Sequence, residues 1–481
     1  MAMTTADRLD PQAVRAFVAA EFESTILPKL VEYIAIPAKS PHFDADWAAH
    51  GEIDRAVDLA EAWCRSQADL DDASIEVVRI EGRTPVLFIE IPGRGERADD
   101  TVLLYGHLDK QPEMVGWRED LGPWKPVREG EKLYGRGGAD DGYAVFASLA
   151  AIRAVRRAGA QHARCVVLIE TCEESGSFDL PPYLEHLDSR IGTPSLVVCL
   201  DSGAGDYRRL WSTTSLRGIL TGRLSVEVLP EGVHSGDAGG IVPDSFRIAR
   251  QLLSRLEDPE TGAILPAGLH ADVPPSRLEQ ARAVADALGE DMDGRFPTLD
   301  GARPRGGEPL ELVLDRTWRP ALAVTGADGL PAVADAGNVL RPGTDLQLSL
   351  RLPPTVDAGA AAEIVRDLLE SDPPPGARVS FAVGQAATGW EAPPVADWLA
   401  SSADRASRLY FDEPAAFTGE GWSIPFMAML GERYPETQFL ITGVLGPGSN
   451  AHGPNEFLHV PMAEALTCCV AEVLVDHAQR P

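Results

Sequence analysis

Histidines and carboxylates recur where apolar runs of this sequence stop. His107 and Asp109 follow TVLLYG, Glu173 and Glu174 follow CVVLIETC, Asp201 follows SLVVCL, and His452 comes shortly after FLITGV. In GRGGADDGYA, residues 135–144, glycines lead into Asp140 and Asp141 at the start of a helical pattern. For one of these two aspartates an N-cap role is expected. With no GxGxxG or GxxxxGK[ST] pattern, the loop does not read as a nucleotide cradle. If Asp109, Asp140, Glu173, Glu174 and Asp201 share a cleft, like charges about 4 Å apart repel by roughly 4 kcal/mol per pair at an effective dielectric near 20. Something positive must stand among them. No Lys or Arg recurs at matching positions of these strand ends, whereas two histidines do, and mixed imidazole and carboxylate sets suit zinc or a similar divalent ion. Three ligand carboxylates nearly balance two divalent ions, so two ions fit better than one, and the remaining acids are left for other work.

The elements that must position these groups are legible as alternating patterns. TPVLFIEIPG, TVLLYG, CVVLIE and SLVVCL predict strands buried on both faces, and residues 11–34, 53–67 and 142–158 have helical apolar spacing. Such alternation predicts an α/β sheet flanked by helices. In an open α/β sheet, ligands bind in the crevice outside the carboxyl ends of the strands, which is where the acids and histidines fall. From about residue 213 the texture changes. ILTGRLSVEVL, a helix near 243–256, a Pro/Gly-rich stretch to about 310, DLQLSLRLPP, a helix near 358–370 and ARVSFAVG predict a separate α+β unit. After GWEAPP the first texture returns, with a helix near 395–408 and the strand QFLITGV. The expected organisation is a larger domain in two parts, 1–212 and 389–481, with a smaller domain, 213–388, inserted.

Length and charge agree with this class. A chain of 481 residues exceeds what one core usually serves. Its 43 basic and 73 acidic residues give a net charge of −30, which repels nucleic acid and anionic membranes. No run approaches the length needed to span a bilayer, and MAMTTADRLDPQ lacks a basic region followed by an apolar one, so a cytoplasmic protein is expected. Cys64, Cys165, Cys172, Cys199, Cys468 and Cys469 show no disulfide-scaffold spacing and no CxxC pair.

GHLDKQP, GRGGADDG, ETCEESGS, VCLDSG, GVHSGDAGG, LSLRLPP, GEGWSIP and NAHGPNE, in this order, resemble the M20 family of metallopeptidases, closest to its cytosolic dipeptidase and carnosinase-like branch. The resemblance covers nearly the whole chain. It implies two divalent metal ions per subunit, zinc first and manganese or cobalt as alternatives. His107 and Asp201 would bind one ion, Glu174 and His452 the other, and Asp140 would bridge them, with a cis peptide after Asp140. The inserted domain would be a ferredoxin-like lid that also forms a homodimer. His234, in GVHSGDAGG, would reach the partner subunit's site to stabilise an oxyanion, and Asn338 would be presented across the dimer. Arg351 and Ser423 would hold the substrate's free C-terminal carboxylate.

Residue chemistry fits these roles. Asp109, two residues after His107, can accept from the second ring nitrogen of the imidazole and fix its tautomer. If the backbone is extended there, Glu173 points away from Glu174 and is free to act as general base for amide hydrolysis. The substrate class is then a dipeptide or related peptide, with N-acyl amino acids as the alternative on the same scaffold. A non-catalytic binding protein is disfavoured because it has no need of a general base. Two departures bear on substrate identity: a lysine common after the aspartate pair is replaced by Gly142 and Tyr143, and Trp422 stands where a small residue is common.

Overall fold

The structure, a computed structural model, describes residues 8–289, 292, 299 and 307–480. Among them, one sheet runs in the order Ser74–Val78, Val86–Ile91, Arg164–Glu170, Thr101–His107, Pro194–Cys199, Gln438–Ile441, Trp211–Leu216 and Trp390–Glu391, with Ala416–Glu420 joined beside Trp211–Leu216. Its centre is parallel, Thr101–His107 pairing with both Arg164–Glu170 and Pro194–Cys199, and the latter with Gln438–Ile441. Antiparallel pairs lie toward the margins. Alternation along Thr101–His107 feeds two cores. Val102 and Leu104 pack with the helices Glu52–Arg65, Ala144–Arg157 and Val460–Gln479, while Leu103 and Tyr105 pack with Leu180–His186 and Pro425–Arg433. Burial on both faces is why these strands read as continuous apolar runs.

The second sheet is antiparallel, in the order Ala321–Asp328, Gly343–Leu352, Gly218–Glu227, Arg378–Ala387. One face is closed by the helices Ser245–Leu256 and Ala358–Glu370, begun by Asp244 and Asp357, whose carboxylates accept the N–H groups of Arg247 and Ala360 at 2.7 Å. Leu220, Leu224, Leu346, Leu348 and Leu350 meet Ile248, Leu252, Val365 and Leu369 there. Each fully buried aliphatic side chain stabilises by about 1.5–3 kcal/mol. Arg351, opposite Ile219 in the register, falls on the other face by the two-residue period of the strand.

The boundaries of the insertion differ from the expected 213–388. Trp211–Leu216 is a strand of the larger sheet. The helices Pro275–Leu288 and Pro309–Thr317, inside the stretch read as part of the smaller unit, bury Val284, Leu288, Val313 and Leu314 in the larger unit's core. The Pro/Gly-rich composition of the surrounding sequence masked these helices, and residues 293–298 and 300–306 of that stretch lie outside the described residues. No helix among the described residues is long and apolar enough to cross a membrane.

Candidate active site

The carboxyl ends of the central strands deliver two overlapping ligand clusters. His107, Asp140 and Asp201 each offer a ligand atom, all within 4.8 Å of one another, and Asp140, Glu174 and His452 do the same. Asp140 belongs to both. Its Oδ1 lies 3.3 Å from His107 Nε2 and its Oδ2 3.1 Å from His452 Nε2. His452 Nε2 is also 3.2 Å from Glu174 Oε2, and His107 Nε2 is 3.8 Å from Asp201 Oδ2.

Local sequence explains this convergence. His107 ends a fully buried strand, and Gly106 before it has no Cβ because one would lie 2.6 Å from Asp141 Oδ2. Asp141 accepts the His107 backbone N–H at 3.3 Å. Neither aspartate caps a helix, contrary to expectation: Ala144–Arg157 begins at Tyr143 without a side-chain cap. The Asp140–Asp141 peptide is cis.

Asp109 meets His107 chiefly through its backbone carbonyl, with its carboxylate at the limit of hydrogen-bond reach. His107 Nδ1 lies 3.1 Å from the Asp109 backbone carbonyl and 3.5 Å from its carboxylate. The carboxylate instead accepts the backbone N–H groups of Glu173 and Glu174, at 3.1 and 3.0 Å. The backbone at Glu173–Ser175 is a 3-10 turn and not extended. The two glutamates still diverge, Glu173 Oε2 lying 4.0 Å from His107 Nε2 and Glu174 reaching His452.

The electrostatics fit a cation-binding centre. Burial, then the charge of Asp201, pushes the Glu173 carboxyl well above its ordinary pKa. Burial and Asp140 raise Glu174 to about 8, and burial raises Asp201 to about 7. Partial desolvation at the cleft opposes charge on His452, yet Glu174 and Asp140 lift it to about 10. Burial likewise opposes charge on His107, which hydrogen bonds to Asp109 and Asp140 hold well above the imidazole range. Burial and mutual repulsion keep protons on these carboxyls, and divalent cations would replace them. Glu174 Oε1 is buried with no hydrogen-bond partner, a further fit to a bound cation. Lys110, next to Asp109, does not supply the missing charge. Its ammonium is buried against the carbonyls of Tyr33 and Ile36, at 2.7 and 2.8 Å, and burial lowers its pKa.

A cavity of about 960 Å³ opens beside the clusters, lined by Asp140, Glu173, Glu174, Asp201 and His452 at one end and by Arg351, Trp422 and Ser423 at the other. Arg351 Nη1 donates to Ser423 Oγ at 3.4 Å. No carboxylate among the described residues pairs with Arg351, and burial alone lowers its pKa. Burial, then the charges of Arg351 and Arg316, depresses the neighbouring Arg217 to about 10, so this corner carries an excess of positive charge. Trp422 is a fixed wall: its ring edge occupies the space that a Cβ on Gly203 would fill, 2.6 Å away, and the Arg316 guanidinium stands 5.6 Å from the ring centroid.

His234 and Asn338 do not line this cavity. They sit together on the smaller unit, where Val233–His234 pairs with Val339–Leu340 and the Asn338 carbonyl accepts the Ser235 N–H at 2.9 Å. The His234 side chain is exposed, and its Nδ1 accepts the Gly236 N–H at 3.1 Å. That acceptor role leaves the proton of the neutral ring on Nε2, facing outward. Among residues the sequence did not single out, Gln111 donates to Glu174 Oε2 at 2.6 Å, and Gln385 lines the cavity from the smaller unit. Gln111 lies within GHLDKQP, so its proximity to the ligands was the available signal.

Comparison with known proteins agrees with this geometry. The chain is 29% identical over 382 residues to the cysteinylglycine-S-conjugate dipeptidase of Corynebacterium striatum, spanning 76% of this chain and 80% of that protein. It is 27% identical over 378 residues to the Cys-Gly metallodipeptidase DUG1 of Candida albicans, spanning 76% of each. In fold it resembles the dipeptidase Dug1p of Saccharomyces cerevisiae, with a TM-score of 0.75 at 20% identity over 98% of this chain and 99% of that one. Human carnosine dipeptidase 1 is similar at 0.74, with 22% identity over 98% and 100% of the two chains. The profile of peptidase family M20/M25/M40 matches residues 103–476, more than three quarters of the sequence and both ligand clusters, and the chain belongs to that family.

Proposed function

We propose that this protein hydrolyses the amide bond of dipeptides, or of closely related substrates ending in a free carboxylate. The observation that carries the reading is the placement of Asp140 between two three-ligand clusters, beside Glu173 and across one cavity from the unpaired Arg351. His107, Asp140 and Asp201 would hold one divalent cation and Asp140, Glu174 and His452 a second, with zinc first in expectation and manganese or cobalt as substitutes. Such cations supply Lewis acidity, polarising a scissile carbonyl and making a water more acidic. The protein's own groups do the rest. Glu173, held by its backbone to Asp109, would take the proton of the attacking water and pass it to the leaving nitrogen. Arg351 and Ser423 hold the terminal carboxylate and so place the last amide bond of a short peptide at the ligand clusters.

His234 and Asn338 enter through a second copy of the chain. The exposed Nε2–H of His234 is a donor suited to an oxyanion, and neither residue lines its own cavity. The strand Ala321–Asp328 leaves an exposed edge on the smaller sheet, a surface suited to pairing with another copy. The six buried, unpaired cysteines are compatible with a cytoplasmic enzyme. A substrate panel tests the reading. Dipeptides with a free amino group should be cleaved in preference to N-acetyl and N-carbamoyl amino acids, and the opposite order would make the protein a deacylase.

A further inference from the structure

One buried ion pair outside the ligand set ties together the loops that carry Asp140 and His452. Arg136 and Glu456 are 1% and 0% exposed, with Arg136 Nη1 2.6 Å from Glu456 Oε2. Each also binds the backbone of the loop that carries the other. Arg136 Nη2 donates to the Gly453 carbonyl at 2.7 Å, and the Gly137 N–H donates to Glu456 Oε1 at 2.9 Å. A bond from the Gly135 N–H to the Glu456 carbonyl at 3.0 Å completes the junction. Gly453 directly follows His452, and Gly137 stands on the short loop leading into Asp140.

The His452 loop requires such a hold. The His452 side chain is 56% exposed, so packing does not fix it. Asn450, His452 and Asn455 have φ of 56°, 64° and 61°, a left-handed region that Asn and His enter more readily than other side chains but at a cost their surroundings must offset. Stability alone does not explain a charged solution here, because an apolar pair of similar volume often stabilises a buried position as well or better. What a guanidinium and a carboxylate add is direction: beyond their bond to each other, the planar fork fixes the Gly453 carbonyl and the second carboxylate oxygen fixes the Gly137 N–H.

We infer that Arg136 and Glu456 are positioning residues whose clasp sets the spacing of Asp140 and His452, and thereby the affinity for a cation at Asp140, Glu174 and His452. The inference rests on the two-cation reading above. Its test is a Zn²⁺ titration of chelator-stripped protein by calorimetry, with thermal melts in parallel. The proteins compared are the wild type, Glu456→Gln, Arg136→Lys and the double variant Arg136→Met with Glu456→Leu. The double variant leaves neither charge buried alone, so it keeps the measurement open if a single variant does not fold. The wild type should bind two ions. The variants should bind one with wild-type affinity and the other about 10–100-fold more weakly, the range for loss of support around a metal ligand. Two wild-type affinities in the variants, even with a lowered melting temperature, would reduce the pair to a stability element and overturn the clasp alone. A wild type that binds fewer than two ions would overturn the two-cation reading and the clasp with it.

Discussion

The Asp109 carboxylate accepts the backbone N–H of Glu173 at 3.1 Å, so the proposed general base is held through its main chain by a residue two beyond the strand that ends in His107. The other oxygen takes the N–H of Glu174 at 3.0 Å. Asn at 109 keeps one acceptor and turns an NH₂ toward the other N–H, leaving that donor unpaired in a buried place. Asp109→Asn should therefore lower turnover by about 10–100-fold, the range for losing an outer partner of a metal site. Steady-state kinetics with a parallel metal analysis checks this, and wild-type turnover would show that the glutamates need no such anchor.

Arg351 has no carboxylate partner among the described residues, which leaves its fork free for the proposed substrate carboxylate. Charge-assisted hydrogen bonds of this kind contribute about 1.5–3 kcal/mol. Arg351→Leu should lower kcat/KM by at least roughly tenfold. Substrates amidated at the C-terminus should react poorly with the wild type and lose little more in the variant. An equal loss on both substrate types would assign Arg351 to folding or assembly.

His234 and Glu173 should complement each other between subunits. Mixed under conditions that exchange subunits, inactive His234→Ala and inactive Glu173→Gln should regain activity, because a hybrid dimer contains one site with an intact Glu173 and an intact His234 from the other chain. Proven exchange without recovery would place His234 outside the neighbouring site.

His162 predicts part of the acid sensitivity of the fold. It is fully buried, with Arg156 Nε donating to its Nε2 at 3.2 Å and its Nδ1 2.7 Å from the Ala163 carbonyl. Burial, joined by the charge of Arg156, lowers its pKa to about 4. The unfolded chain takes up this proton near pH 6.5 and the folded chain only near pH 4, so the unfolded state holds more protons between them. Stability should be intact above about pH 6.5 and fall by up to about 3 kcal/mol as the pH drops through that window. Denaturant melts should show a flatter decline in His162→Gln, and an unchanged slope would mean that His162 takes up its proton as readily in the fold as in the unfolded chain.

The larger sheet was legible because strands buried on both faces are written as unbroken apolar runs, and because acids and imidazoles stand out at their ends. His107, Asp109, Glu173, Glu174, Asp201 and His452 were readable as candidates for that reason, and Asp140 from its glycine-rich loop, whereas only the family resemblance separated the presumed ligands from the other acids. Their supports were not readable. Arg136 and Glu456 meet across a sequence separation of 320, and nothing near either residue signals the other. The helices Pro275–Leu288 and Pro309–Thr317 carry short apolar stripes between proline- and glycine-rich segments, so the sequence alone did not show which core they join. The turn at Glu173 and the role of Asp141 depend on backbone hydrogen bonds to distant residues, which periodicity does not report.

The most direct test of the account is Glu173→Gln, measured for turnover and metal content together. Gln keeps the size and hydrogen-bonding reach of the side chain but cannot take the proton of the attacking water. Turnover should fall by roughly 100-fold or more, the range for loss of a general base, while the protein still binds two divalent ions per subunit. A variant that loses an ion, yet keeps appreciable activity per ion bound, would make Glu173 a ligand and contradict the mechanism.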